Sequence, residues 1–126
     1  MFRTTDIGRL GERLAAKHLK KNHYKILESN IHESHKEIDI IAANKEYIVF
    51  VEVKTRSVGA DLYNRFGTPA SAVDKRKQAN LLYAANAYLS THRTDKQPRM
   101  DIVEVYLDKD TKKPLTINHI ENAYSR

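Results

Sequence analysis

Apolar residues recur every three to four positions near the start of the chain and then change to short runs and alternations of two, a switch that separates a helix from the strands after it. Asp6 offers a cap, and Ile7, Leu10, Gly11, Leu14, Ala15 and His18 line one face against Arg9, Arg13 and Lys20, so the spacing predicts a first helix over 6–21. Glu12 falls at the edge of the stripe, beside Gly8, Ala15 and Ala16, whose small side chains permit close approach to a sheet. From there it either reaches a sheet face or pairs with a neighbouring lysine at the helix boundary. Segments 24–31, 37–43 and 46–55 read as three strands, the last nearly continuous in apolarity and therefore central. From Arg56 to Pro69 both periodicities fail and two glycines appear, which predicts a long loop. A second helix starts near Thr68-Pro69 or at Ser71, where Ser71-Ala-Val-Asp74 resembles a capping box, and runs to about Thr91 with Val73, Leu81, Ala84, Ala85 and Tyr88 inward. Pro98 closes the next loop, 100–107 alternates as a fourth strand, and 115–120 suggests a short edge strand. The order α-β-β-β-α-β, with that last short strand, describes a single α/β domain whose mixed central sheet is flanked by helices.

Charge enters this pattern where it is least expected. Glu37, Asp39 and Ile41 alternate on one face of the second strand, and Ile48, Phe50, Glu52 and Lys54 on one face of the third. With a short turn at Asn44-Lys45-Glu46 the two strands pair antiparallel. A register summing to 91 sets Asp39 opposite Glu52, and one summing to 89 makes them diagonal neighbours. Converging carboxylates repel unless a divalent cation or a shared proton offsets them, and a metal site is the simplest account.

Composition narrows the partner. With 126 residues, 40% of them hydrophobic, the chain suffices for one core and is too short for two ordinary domains. Twenty-two Lys and Arg against sixteen Asp and Glu leave a formal charge of +6, which favours polyanionic partners or serves solubility alone. Acidic residues concentrated in a site would leave the remaining surface more basic still. No cysteine is present, so disulfides, thiolate catalysis and zinc-thiolate or iron–sulfur sites are excluded. The opening Met-Phe-Arg-Thr-Thr-Asp-Ile-Gly lacks an apolar signal core, and no run approaches the roughly 18 apolar residues of a membrane span. A cytoplasmic location without membrane contact is expected.

Asp39, Glu52 and Lys54 form an Asp-x12-Glu-x-Lys pattern suited to metal-assisted hydrolysis of a phosphodiester. Hard oxygen ligands favour Mg²⁺, with Mn²⁺ as an alternative, over zinc. Lys54 would orient water or stabilise phosphate, and the Val53 carbonyl, between the two side-chain ligands, would complete the coordination. The competing reading is a partly buried Lys54-Glu52 and Asp39 salt-bridge network that only fixes the sheet.

Further residues carry a resemblance. Gly8-Arg-Leu-Gly11-Glu12, Asn30, Glu37-Ile-Asp39-Ile-Ile, Phe50-Val-Glu52-Val-Lys54-Thr-Arg56, Phe66-Gly67, Val73-Asp-Lys-Arg-Lys-Gln78, Ala87-Tyr-Leu89 and Arg99-Met-Asp101 resemble the YraN-like family of uncharacterised bacterial proteins. That family is similar to the restriction-endonuclease-like, or PD-(D/E)xK, nucleases, and among them to archaeal Holliday-junction resolvases. The resemblance spans about Gly8 to Leu107 and implies a restriction-endonuclease-like fold with Glu12, Asp39, Glu52 and Lys54 at the catalytic centre, Glu12 among the metal ligands. It also implies a site-facing role for Gln78, because related nucleases often carry a polar residue on this helix. The chain departs from the family's habit at Lys36, where glycine is usual, at His32, where arginine is common, and at Met100, a frequent phenylalanine.

Lys75, Arg76 and Lys77, at the opening of the second helix, are candidates to grip a DNA backbone, with a solvated basic turn as the ordinary alternative. Arg56 and Arg65 are further phosphate candidates. His32 and His35 flank a loop near Glu37 without a metal-binding spacing, and the seven tyrosines make no stacking platform of the RNA-recognition type. Two readings of different class follow. One is a Mg²⁺-dependent, structure-directed endonuclease acting on DNA, branched DNA included, and expected to be a homodimer because junction resolution needs two incisions. The other is a non-catalytic nucleic-acid- or partner-binding module on a nuclease fold.

Overall fold

The computed structural model describes residues 4–59 and 75–124, and the structural statements below concern those residues. The elements are α1 (Thr4–Lys21), β1 (Lys25–Glu33), β2 (Lys36–Ala43), β3 (Tyr47–Val58), α2 (Lys75–Thr91), β4 (Gln97–Asp108) and β5 (Pro114–Ile120). One five-stranded sheet holds the strands in chain order, β1-β2-β3-β4-β5. Pairing is antiparallel except between β3 and β4, which run parallel from Tyr47 beside Gln97 to Val58 beside Asp108. The sheet is thus mixed, with its longest shared ladder at the centre.

Helix α1 carries Asp6 in its first turn and His18, Lys20 and Lys21 in its last, each sign matched to the helix dipole. It ends where His23 takes a positive φ of 70°, and the Tyr24 and His23 N–H groups donate back to the Leu19 and Lys20 carbonyls at 3.0 and 3.1 Å. Ala15 and Leu19 pack on Ile40, Ala42, Val49, Val51, Val103 and Val105. Leu81, Ala84, Ala85 and Tyr88 of α2 cover the other sheet face, against Ile38, Ile41, Ile48, Phe50 and Ile102. Each helix closes one face, and the strands between are apolar on both sides.

Glycine has one indispensable position. A Cβ on Gly11 would lie 1.8 Å from Thr55 Oγ1, so only glycine lets α1 seat against β3, whereas a Cβ on Gly8 meets nothing within 4 Å. Of the small residues expected to permit close approach, Ala15 and Ala16 do pack on the sheet side, Gly8 does not, and the tightest contact is made by Gly11. The β1–β2 connection is a two-residue hairpin, Ser34-His35, with φ of 52° and 66°, the left-handed pair that matches strand twist. At the β2–β3 turn, Asn44 Oδ1 accepts from the Glu46 and Tyr47 N–H groups at 3.0 and 2.8 Å, as its position predicts.

Several boundaries differ from the sequence reading. β1 runs on to Glu33, and β2 starts one residue early at Lys36. β3 continues through Arg56 to Val58 because β4 offers a matching ladder there, so Arg56 belongs to a strand and not to the loop. β4 begins at Gln97 and includes Pro98, and the short last strand is real as β5. The predicted start of α2 at Thr68-Pro69 or Ser71 lies outside the described residues.

Candidate functional site

The site forms where β2 and β3 separate. Their register sums to 91, from Ala43 beside Ile48 to Ile40 beside Val51, and the ladder stops there. Asp39, the next residue, turns its carboxylate into the gap, and its Oδ2 accepts the Val53 N–H at 2.8 Å. N–H and C=O of one strand residue face the same neighbour, so the Val53 carbonyl is also directed toward β2. The strict alternation expected of β2 fails at this point: Ile38 and Ile41 both pack under α2 while Ile40 packs under α1. Asp39 consequently lies close to the sheet plane and lines recesses on both sides.

The recess on the α2 side, about 370 Å³, is bounded by Glu37, Asp39, Glu52, Lys54, Lys77 and Asn80. The recess on the α1 side, about 630 Å³, is bounded by Arg9, Glu12, Arg13, Ser29, Asn30 and Asp39. Oxygen atoms of Glu12, Glu37 and Asp39 all lie within 4.8 Å of one another. Glu12 arrives from α1, which Gly11 brings down on Thr55, and Glu37 from the strand that the Ser34-His35 hairpin reverses. Among the described residues this is the one group of three metal-ligating side chains at such range.

Electrostatics distinguish this group from an ordinary ion-pair network. Burial raises the Asp39 pKa to about 7, the Val53 N–H opposes that rise, and the charges of Glu12, Glu37 and Glu52 add to it. Glu52 sits beside Lys54, Nζ to Oε2 3.6 Å, with both side chains more than four-fifths buried, and Glu52 Oε2 makes no hydrogen bond. The lysine therefore neutralises Glu52 in part and leaves the three carboxylates around Asp39 in mutual repulsion. A hard divalent cation is the species that such an all-oxygen set accommodates.

The predicted residues divide as follows. Glu12, Asp39, Glu52 and Lys54 meet at the two recesses, with Val53 tied to Asp39. Lys77 borders the α2-side recess, whereas Gln78 is half-buried and outside its lining, where Asn80 stands instead. Lys75 and Arg76 are exposed at the start of α2, and Arg56 lies 3.6 Å from Glu104 on the next strand. Arg65 falls outside the described residues. Glu37 was visible as part of the acidic strand motif, yet its meeting with Glu12 depends on the hairpin and the helix seat, which periodicity does not encode. His35 and Lys36 border the α2-side recess, and Lys36 is accommodated at a partly exposed strand start.

A second polar cluster gathers around Arg99 and Asp101, residues the sequence marks only as part of the family resemblance and does not join to Tyr24 or His119. Arg99 grips Asp101 through Nε at 2.9 Å and Nη2 at 2.8 Å, and also donates to the Tyr24 hydroxyl. His119 Nε2 lies 2.7 Å from Asp101 Oδ2, and the Asn122 N–H donates to Oδ1 at 2.9 Å. The Arg99 guanidinium also rests 4.6 Å from the Tyr47 ring centroid. Asp101 is fully buried, and these partners, led by His119 and Arg99, outweigh its burial and hold its pKa below the usual carboxylate value.

Comparison with known proteins places the chain among relatives of the same length. Residues 11–105 match the model of the uncharacterised protein family UPF0102. The chain belongs to that family. A UPF0102 protein of Caldanaerobacter subterraneus subsp. tengcongensis is 44% identical over 94% of this chain and 93% of its own. One of Alkaliphilus oremlandii is 45% identical over 94% and 97%, and one of Parabacteroides distasonis 40% over 98% and 96%. The UPF0102 model thus spans Glu12, Glu37, Asp39, Glu52 and Lys54. No helix among the described residues is long and apolar enough to cross a membrane.

Proposed function

We propose that this UPF0102 protein is a metal-dependent endonuclease that hydrolyses phosphodiester bonds in DNA, directed by strand structure, including branched or junction-containing DNA, more than by sequence. The observation that carries this reading is the meeting of Glu12, Glu37 and Asp39 within 4.8 Å beside the Glu52–Lys54 pair. The order of strands and helices, with acidic residues and a lysine on two adjacent strands, agrees with the restriction-endonuclease-like plan that the sequence resembles.

Asp39, Glu12 and Glu52, with the Val53 carbonyl, would hold Mg²⁺ or Mn²⁺, and Glu37 joins that set. Such an ion, when bound, acidifies water and offsets charge developing on the phosphoryl group. The chain's own residues supply the rest. Val53 fixes the rotamer of Asp39 through its N–H, and Glu52 keeps Lys54 extended along the recess, where its ammonium can orient a nucleophilic water or meet a phosphate oxygen. Lys77 on one side and Arg9 and Arg13 on the other place positive charge beside the acidic centre. A polyanionic strand is thereby drawn to a site that would repel it by carboxylates alone. We place the protein in the cytoplasm, and paired incision of a junction calls for a homodimer, to be read from its mass in solution.

The test is cleavage of linear, flapped and four-way-junction DNA with Mg²⁺ or Mn²⁺, comparing wild type with Asp39→Ala and Glu52→Ala. Structure-dependent cutting that both substitutions abolish is the expected outcome. DNA binding without cutting, indifferent to both substitutions, would replace this mechanism with a non-catalytic binding module.

A further inference from the structure

A third recess, of opposite sign, lies at the end of β2 away from the carboxylates. It encloses about 570 Å³ where the β2–β3 turn, the start of β1 and the C-terminal end of α2 meet. Its ionisable lining is His23, Lys25, Lys45, His92, Arg93 and Lys96, with no carboxylate among the residues that bound it. Ala43 stands at its wall and Asp39 at the acidic centre, four residues apart on one strand, so roughly 13 Å of β2 separates the two places.

Lys25 stands on β1 and the other five residues on the connections that meet there, where Lys96, His92 and the turn bearing Lys45 are tied down. Lys96 Nζ donates to the Asn44 carbonyl at 2.7 Å, and Asn44 Oδ1 locks the turn that carries Lys45. His92 stacks on Tyr88 with ring centroids 3.9 Å apart and planes 2° from parallel. Its Nδ1 lies 3.0 Å from the Tyr88 carbonyl and 2.9 Å from Thr91 Oγ1, which leaves Nε2 without a partner among the described residues. Glu28, the carboxylate that meets Tyr88, is engaged by the tyrosine hydroxyl.

We propose that this recess is a binding site for a terminal phosphate carried by a nucleotide-sized ligand. Six basic or imidazole side chains from three neighbouring segments, 23–25, the β2–β3 turn and 92–96, suit a doubly charged phosphomonoester better than the single charge of a phosphodiester. The volume exceeds what a bare phosphate fills and matches a small organic ligand. That phosphomonoester has two sources, a free nucleotide or the 5′ end of a nucleic-acid strand. The site stands independently of the hydrolytic reading.

The experiment is an amide-resonance titration of the full chain in EDTA, which removes divalent ions from the carboxylates. The probes are AMP, adenosine, and a short oligonucleotide with and without a 5′-phosphate. AMP or the phosphorylated oligonucleotide, but neither dephosphorylated probe, is expected to move Lys45, His92 and Arg93. The exposed double substitution Lys45→Glu and Arg93→Glu is expected to weaken binding at least about tenfold with unchanged circular dichroism, and His92→Gln to weaken it less. A response to AMP identifies a free nucleotide as sufficient, and a response to the oligonucleotide alone identifies a strand end. Silence from both phosphorylated probes, equal response to adenosine, or wild-type affinity in both variants would overturn the proposal.

Discussion

Two aspartates, the half-buried Asp39 on β2 and the buried Asp101 on β4, have opposite fates. Asp101 is wholly inaccessible, yet a bidentate arginine, a histidine and a backbone N–H meet its oxygens and hold it ionised. Asp39 receives one N–H and faces three carboxylates, and its pKa rises to about 7. Burial is the main cause of the Asp39 rise but does not separate the two cases, because it pushes both groups the same way. What differs is whether the chain supplies the countercharge. At Asp101 it does, and the result is a strut joining β4, β5 and the start of β1. At Asp39 it does not, and the carboxyl holds its proton to about pH 7; under the proposed function a divalent cation would take that proton's place.

The largest effects expected from breaking this contrast come from exchanging the two sites' roles. Asp39→Ala should reduce metal-dependent cleavage to background while leaving the fold intact. Asp101→Asn should retain cleavage at permissive temperature but lose about 3–5 kcal/mol of stability in denaturant titration, since it strands a buried guanidinium. Equal stability losses in both variants would erase the distinction.

The next effect is a matter of pH, and the two aspartates have opposite signs. Asp39 has a folded pKa of about 7 against an ordinary 3.8, so its contribution is fullest below 3.8 and is lost as pH rises through 7. Asp101 has a depressed folded pKa, so its contribution is present above the ordinary value and is lost as pH falls through the lower folded one. Metal-free protein should therefore lose about 2–4 kcal/mol between pH 5 and 8 through Asp39. Urea titrations should show this slope vanish in Asp39→Asn and on adding Mg²⁺ at pH 8. A slope unchanged in Asp39→Asn would assign it elsewhere.

Gly11→Ala should cost about 1–3 kcal/mol, although alanine is the better helix former, because its methyl group collides with Thr55. Thermal melting gives the loss of stability, and Mg²⁺ affinity gives the accompanying displacement of Glu12. The smallest effect belongs to Glu37→Gln, an exposed residue whose charge adds to the Asp39 shift. Carboxyl-carbon titration should show the Asp39 pKa falling by less than about one unit, and a larger fall would make Glu37 a principal member of the site.

Local signals made much of this arrangement legible in the sequence. The asparagine turn narrowed the β2–β3 register to sums of 91 or 89, either of which brings Asp39 toward Glu52, and the first is the one that forms. The basic residues at the start of α2 were readable as a cluster, and Lys77 borders the site. What stayed hidden depends on contacts between distant segments. Arg56 looked like loop because its pairing partner, Tyr106, lies on a strand far along the chain. Pro98 looked like a breaker, yet a strand's start tolerates its missing N–H. Tyr24, Arg99, Asp101 and His119 belong to three separate strands or turns, and no periodicity joins them. Glu12 was ambiguous on the helix wheel because its direction is set by how closely Gly11 seats on β3.

The sequential order of the strands also bears on how the protein is made. Glu12, Glu37, Asp39, Glu52 and Lys54 all precede α2, in one unbroken helix and antiparallel meander whose contacts are mostly local. During synthesis the acidic centre emerges as a set before β4 exists. Until the chain returns through α2, the β4-facing edge of β3 has no pairing partner, and the interval between the two events is when the nascent chain is open to aberrant strand pairing. A divalent ion captured at that stage would brace the meander while its final neighbour is still being translated.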